Sequence, residues 1–193
     1  SIMVSQIKVN EIIKQSGSTI TIGESGDTVT IPSGATLNSA GTNTLTGIDN
    51  APAWMVNLSS SQNVASATET VINFDTEVLD SASAYDTSNG RFTVPSGQAG
   101  KYYVYAQLMR NNFFNSRYLV KIRVNDTAKI EAEDRNTDTG GTTFQTVQVG
   151  GILDLSVGDY VNVALYQDSG SSSGANGGSS SRSLFTGHRL IGL

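Results

Sequence analysis

No cysteine occurs among the 193 residues, which excludes disulfide staples and thiolate metal sites. Small secreted domains usually carry such bridges, so their absence favours assembly in a reducing cytoplasm, a bacterial host making virions included. There is one histidine, His188, too little for a zinc centre without thiolate partners. It is also the only base available to a Ser-His-Asp arrangement, and serine is too abundant here to be informative. A surface or subunit-contact role for His188 is the expectation. Charged residues are only 15%, the net charge is −5 and the sequence pI is near 4.7. No lysine–arginine stripe with interleaved aromatics appears, so no nucleic-acid partner is expected. No apolar run approaches the roughly 18 residues of a membrane span, so no membrane insertion is expected either. Ser1-Ile2-Met3-Val4 lacks the basic start and apolar run of a signal peptide. No glycine-rich phosphate loop precedes a helix, and no carboxylate pair stands in a glycosidase context. The chain therefore reads as a non-enzyme that carries no obligatory cofactor.

What is present is glycine, serine, threonine and asparagine, with 37% apolar residues. That mixture suits short strands joined by many turns and disfavours long helices. Residues 1–50 read as an N-terminal anchor and stem, and 51–193 as a larger head. In the first seventeen residues Ile7 and Val9 alternate with polar neighbours, which fits a strand pair, while Ile12-Ile13 fits a short helix from Ser5 to Gln15. Residues 18–47 hold a near-repeat: Ser18-Thr-Ile-Thr-Ile-Gly-Glu-Ser-Gly26, Asp27-Thr-Val-Thr-Ile-Pro-Ser-Gly34, Ala35-Thr-Leu-Asn-Ser-Ala-Gly41, then Thr44-Leu-Thr-Gly47. Each unit reads as a short alternating strand closed by a Ser-Gly or Ala-Gly turn. So few apolar side chains enclose no core alone. Three copies wound on one axis would give Ile20, Ile22, Val29, Ile31, Leu37 and Leu45 a shared interior. A flexible linker is the alternative, but linkers avoid the β-branched Ile-x-Ile and Val-x-Ile found here.

From Trp54 onward the strands lengthen. Tyr102, Val104, Ala106 and Leu108 alternate with Tyr103, Tyr105 and Gln107. Tyr118, Val120, Ile122 and Val124 alternate with Leu119, Lys121 and Arg123, and Val147, Val149, Val161, Val163 and Leu165 continue the pattern. Turn signals recur at Asn89-Gly90, Ser96-Gly97, Asn125-Asp126, Gly140-Gly141 and Gly158-Asp159. Many short strands at such spacing mean a β-sandwich. Residues 169–181, nearly all Ser, Gly and Asn, read as a mobile surface loop.

Four blocks of the head carry a resemblance. Tyr85-Asp86-Thr87-Ser88-Asn89-Gly90-Arg91-Phe92-Thr93-Val94-Pro95 resembles the tyrosine-aspartate, glycine, phenylalanine-threonine-x-proline signature of the complement component 1q globular head. Gly100-Lys101-Tyr102-Tyr103-Val104-Tyr105 is similar to the strand that follows it. Gly150-Gly151-Ile152-Leu153-Asp154-Leu155-Ser156-Val157-Gly158-Asp159-Tyr160-Val161 and Ser183-Leu184-Phe185-Thr186-Gly187-His188-Arg189-Leu190 resemble the later blocks. The resemblance implies an all-β, ten-stranded jelly-roll sandwich related to tumour necrosis factor, packed as a homotrimer and used for binding rather than catalysis. Read as residues alone, Tyr85, Phe92, Tyr102 and Phe185 are core. The collagen-like period that precedes vertebrate members is absent. The stem, with Ser5-Gln-Ile-Lys-Val-Asn-Glu-Ile12, resembles β-repeats of bacteriophage tail-fibre and other virion proteins.

Two segments are candidate sites. Asp134, Asn136 and Asp138, followed by Gly140, place oxygen ligands at alternate positions as a calcium loop does. The glycine is one place late and position twelve of that frame is Gln145 rather than Glu, so a polar hairpin is the competing reading. Phe113 and Phe114 interrupt the polar run Arg110–Arg117, which suits burial against another subunit, an intrachain core position or receptor contact. Together these features describe a bacteriophage virion structural protein. It would be a homotrimeric fibre or appendage on the virion surface, bound to other virion proteins through its N-terminal segment. Its head would meet a host-surface glycan or protein. A capsid decoration or cement trimer and a bacterial surface carbohydrate-binding lectin are the alternatives.

Overall fold

The computed structural model describes residues 12–13, 15–17, 19–36, 50–111, 116–136, 144–178 and 182–191. The chain divides into two compact units, 1–44 and 45–193.

In the first unit every described residue is exposed. The turns expected at Ser25-Gly26 and Ser33-Gly34 are present. Asp27 N donates to Glu24 O, and Ala35 N to Pro32 O, each at 3.0 Å. Gly26 and Gly34 take left-handed φ of 97° and 85°, which L side chains resist. The segments between the turns, expected as strands, form no ladder among the described residues. A turn closes on its own neighbours, whereas a strand needs another strand beside it.

In the second unit, period-two alternation sets the strands. They are β1 (Ala53–Asn57), β2 (Gln62–Val64), β3 (Thr70–Val71), β4 (Thr76–Asp80), β5 (Tyr85–Asp86), β6 (Arg91–Thr93), β7 (Gly100–Asn111), β8 (Ser116–Val124), β9 (Thr127–Asn136), β10 (Thr146–Leu155), β11 (Tyr160–Gln167), β12 (Ser173–Ala175) and β13 (Leu184–Arg189). These thirteen segments do not match the ten strands expected one for one, because five are only two or three residues long. One sheet runs β2-β12-β7-β13-β1-β4, with β10 on the other edge of β7. The second runs β5-β6-β11-β8-β9, with β3 on β11. Every assigned pairing is antiparallel.

The core lies between the two sheets. Trp54 stacks on Phe92 at 3.8 Å and meets Phe185 edge-on at 5.4 Å. Tyr85, Phe92, Tyr102 and Phe185 are buried as expected. At Gly187, in β13, a Cβ would overlap the Trp54 ring, so the tryptophan occupies space that only glycine leaves.

The glycine–serine segment differs from expectation. Ser173–Ala175 is a buried strand held between β2 and β7, not a mobile surface loop. A side chain at Gly174 would collide with the Gln62 carbonyl, so the lack of bulk that reads as looseness permits close packing here. The turn expected at Asn89-Gly90 is present. Tyr85 pairs with Phe92 around a four-residue loop in which only Gly90 is left-handed, and the Asp86 carboxylate accepts from Ser88 N at 2.8 Å. Asn125 and Asp126 are the pair with two positive φ values, 50° and 61°, joining β8 to β9.

Candidate functional site

The alternation Tyr102, Val104, Ala106, Leu108 continues inward to Arg110, so β7 ends by placing a cation inside the sandwich. Its side chain is 0% exposed. Nη1 donates to Asp134 Oδ2 at 2.8 Å and to Gln145 Oε1 at 3.1 Å. Nη2 donates to the Ser116 carbonyl and hydroxyl, both at 3.2 Å, and the guanidinium lies 4.8 Å from the Tyr118 ring centre. Burial pulls the Arg110 pKa below its ordinary value, with the Asp134 charge opposing. Burial likewise pushes the Tyr118 hydroxyl up.

Two of these partners line an open groove of about 380 Å³ between the facing edges of β9 and β10. Ala132, Glu133 and Asp134 form one wall, and Gln145, Thr146, Val147 and Gln148 the other. Glu133 is engaged by Arg117 through both oxygens, at 3.1 and 2.7 Å, which holds its carboxyl below the usual range. A second groove, of about 460 Å³, lies between the Asn125–Lys129 region and Ile152–Asp154. There Asp154 pairs with Lys101 at 3.3 Å, and Asp159 accepts from Asn125 Nδ2 at 2.7 Å.

The outer face of the six-stranded sheet is a ladder of satisfied charge. Lys121 meets Glu69 at 2.8 Å, and Arg123 meets Glu69 and Asp126, each at 2.9 Å. Asp126 also accepts from Tyr160 Oη at 2.7 Å and Asn162 Nδ2 at 3.0 Å, which keep its pKa below the ordinary carboxylate value. Arg91 stacks on the Tyr160 ring at 4.0 Å.

The outer face of the seven-stranded sheet is different. Register sets its residues in cross-strand rows. Leu79, Met55, Thr186, Tyr105 and Gly150 form one, and Ala53, His188, Tyr103 and Ile152 the next. Asn57, Leu184, Gln107 and Gln148 form a third. None of the three carries an acidic or lysine–arginine side chain. Tyr103 is 40% exposed and Ile152 58%.

His188 sits on this neutral face with its ring 5.9 Å from that of Tyr103. Asp134, proposed as a calcium ligand, has one carboxylate oxygen on Arg110, a cation that opposes a second one there. The Asn136 side chain and Asp138 lie outside the described residues, as do Phe113, Phe114, Leu37 and Leu45. Ile20, Ile22, Val29 and Ile31 are all exposed in the single chain. The run Arg110–Arg117 is not one polar turn, since Arg110 and Asn111 end β7 and Ser116 begins β8. Sequence reasoning missed the groove. Its signal was the inward parity of Arg110. Among the described residues, no three His, Cys, Asp or Glu side chains converge on a metal site.

Two antiparallel sheets around an aromatic centre, with the chain crossing repeatedly between them, define a jelly-roll sandwich. The C1q domain family matches residues 53–190, and the chain belongs to that family, whose domains are non-catalytic recognition modules. The globular domain of the zebrafish complement 1qA protein has the same fold. It superposes with a TM-score of 0.53 at 16% identity, covering 72% of this chain and 98% of that one. No curated protein matches the chain in sequence.

Proposed function

We propose that the chain is a homotrimeric attachment protein on the surface of a bacteriophage particle, assembled in the host cytoplasm. Its head would bind a glycan or protein of the host surface, and residues 1–50 would space the head from other virion proteins. The supporting observation is the contrast between the two outer faces. One pairs Lys121, Arg123, Glu69 and Asp126 within the chain, while the other carries three uncharged rows. An uncharged face that exposes Leu79, Tyr103 and Ile152 suits a protein contact, and a second copy brings the same chemistry. Three copies would also supply the exposed stem residues Ile20, Ile22, Val29 and Ile31 with apolar neighbours and ladder partners. The recognition role draws on family membership, and the virion setting on the likeness of the stem to fibre repeats.

The test has two measurements. Sedimentation equilibrium should return three times the chain mass of 20.3 kDa. Head-directed gold label should decorate purified particles, on the tail for an appendage or on the shell for a decoration trimer. A single-chain mass at micromolar concentration, or particles without label, would overturn the proposal.

A further inference from the structure

We infer that the groove between β9 and β10 is a carbohydrate subsite that reads a vicinal pair of hydroxyls on a neutral hexose. This deepens the attachment proposal by naming a ligand class and its place on the head.

The groove is polar, and its two key side chains are fixed from behind. Asp134 and Gln145 stand on opposite walls, yet both are held by the same Arg110 nitrogen, at 2.8 and 3.1 Å. Gln145 is tied twice, because its main-chain carbonyl also accepts from Arg110 N at 2.7 Å. Arg110 is fully buried and is itself located by Ser116 and Tyr118. Little side-chain freedom is left to lose on binding, which is what a weak, small ligand requires.

The fixed atoms dictate what can bind. Arg110 occupies Asp134 Oδ2 and Gln145 Oε1. Asp134 Oδ1 and Gln145 Nε2 then have no partner among the described residues. One is an acceptor only and the other a donor only. A hydroxyl group both donates and accepts, so two adjacent hydroxyls satisfy the pair, one donating to Asp134 and the other accepting from Gln145. Thr146 and Gln148 on the same wall add hydroxyl and amide groups. The volume of about 380 Å³ suits one or two sugar rings. The carboxylate oxygen that Asp134 turns to the groove disfavours an acidic sugar, whereas Glu133 is spent on Arg117.

The probes are methyl glucoside, methyl mannoside, methyl galactoside and N-acetylglucosamine, each titrated against the full-length protein by saturation-transfer NMR. Sialyllactose is the acidic comparison. At least one neutral probe should bind with a Kd in the millimolar range, and sialyllactose should bind more weakly. Gln145→Glu keeps the oxygen that Arg110 needs and removes the donor. It should weaken the binding probe by about tenfold, the worth of one hydrogen bond, while a cooperative melt shows the head still folded. Binding unaffected by Gln145→Glu would overturn the assignment. So would no neutral probe binding at about 50 mM, well above millimolar affinity. Sugar binding by a chain that proves monomeric, or by one absent from particles, would leave this subsite standing while the attachment proposal fell.

Discussion

Removing Asp134 should harm the head more than removing the arginine it neutralises. Asp134 is 39% exposed and Arg110 is 0% exposed, so the two ends of the ion pair are not equivalent. In Asp134→Ala the guanidinium stays in the interior. Its remaining described hydrogen-bond partners, Gln145 Oε1 and the Ser116 oxygens, are neutral, and Asp168 acts only as a more distant charge. Stripping one partner from a fully buried pair costs about 3–5 kcal/mol. Partial exposure of Asp134 reduces its share, and about 2–3 kcal/mol is expected. In Arg110→Met a similar volume is filled without charge. The freed Asp134 carboxylate can turn to water, and the loss should be about 0–1.5 kcal/mol. For a chain of this size one kcal/mol is roughly 2–4 °C in Tm. Scanning calorimetry at fixed protein concentration should therefore place Asp134→Ala about 4–12 °C below the parent. Arg110→Met should melt clearly higher than Asp134→Ala, and the double variant should resemble Arg110→Met. If Arg110→Met proves the more damaging single change, the idea of a cation held in place chiefly by its counter-charge is wrong.

Gly174→Ala should cost about 2–4 kcal/mol by forcing β12 off the Gln62 carbonyl, whereas Ser171→Ala, at an exposed position, should not move Tm. Tyr103→Asp should shift sedimentation towards single chains by setting like charges on a neutral face, and an unchanged trimer would remove that face from the interface. Glu69 is held below its ordinary pKa by Lys121, and Asp126 by Asn162 and Tyr160. Stability from such depressed carboxylates is present above their unfolded pKa of about 4 and is lost as pH falls through the folded values. Tm should thus be level near neutrality and decline below about pH 4, less steeply in Asp126→Asn. Val29→Asp should split or melt an assembled stem, and identical melting and mass in the variant would refute a shared stem interior.

How far the sequence revealed these features depends on how local they are. Tyr102, Val104, Ala106 and Leu108 lie on one strand at period two, and their burial was readable without any partner. The turns at Gly26 and Gly34 close on atoms three residues away and were readable for the same reason. The jelly roll was readable through four blocks of signature residues. What was hidden is set by register between distant strands. Arg123 meets Glu69 across 54 positions, and Tyr103 meets Ile152 only because β10 runs antiparallel along β7. The glycine–serine segment misled because composition reports the absence of side chains. Gly174 is small for the sake of the backbone pressed against it.

The groove and the neutral face are consequences of one strand. Inward residues of β7 fill the core and end in Arg110, which locks Asp134 and Gln145 at the groove. Outward residues of the same strand, Tyr103, Tyr105 and Gln107, form the centre of the neutral face. A one-residue slip of β7 would exchange the two sets, burying Tyr103 and exposing the arginine. The aromatic centre forbids that slip. Trp54 rests over Gly187 and stacks on Phe92, while Tyr102 donates to the Gln98 carbonyl at 2.6 Å. The buried aromatic residues Trp54, Phe92, Tyr102 and Phe185, which line neither surface, therefore fix the register on which both depend. That accounts for how a recognition fold can keep its core while the surfaces that meet partners change.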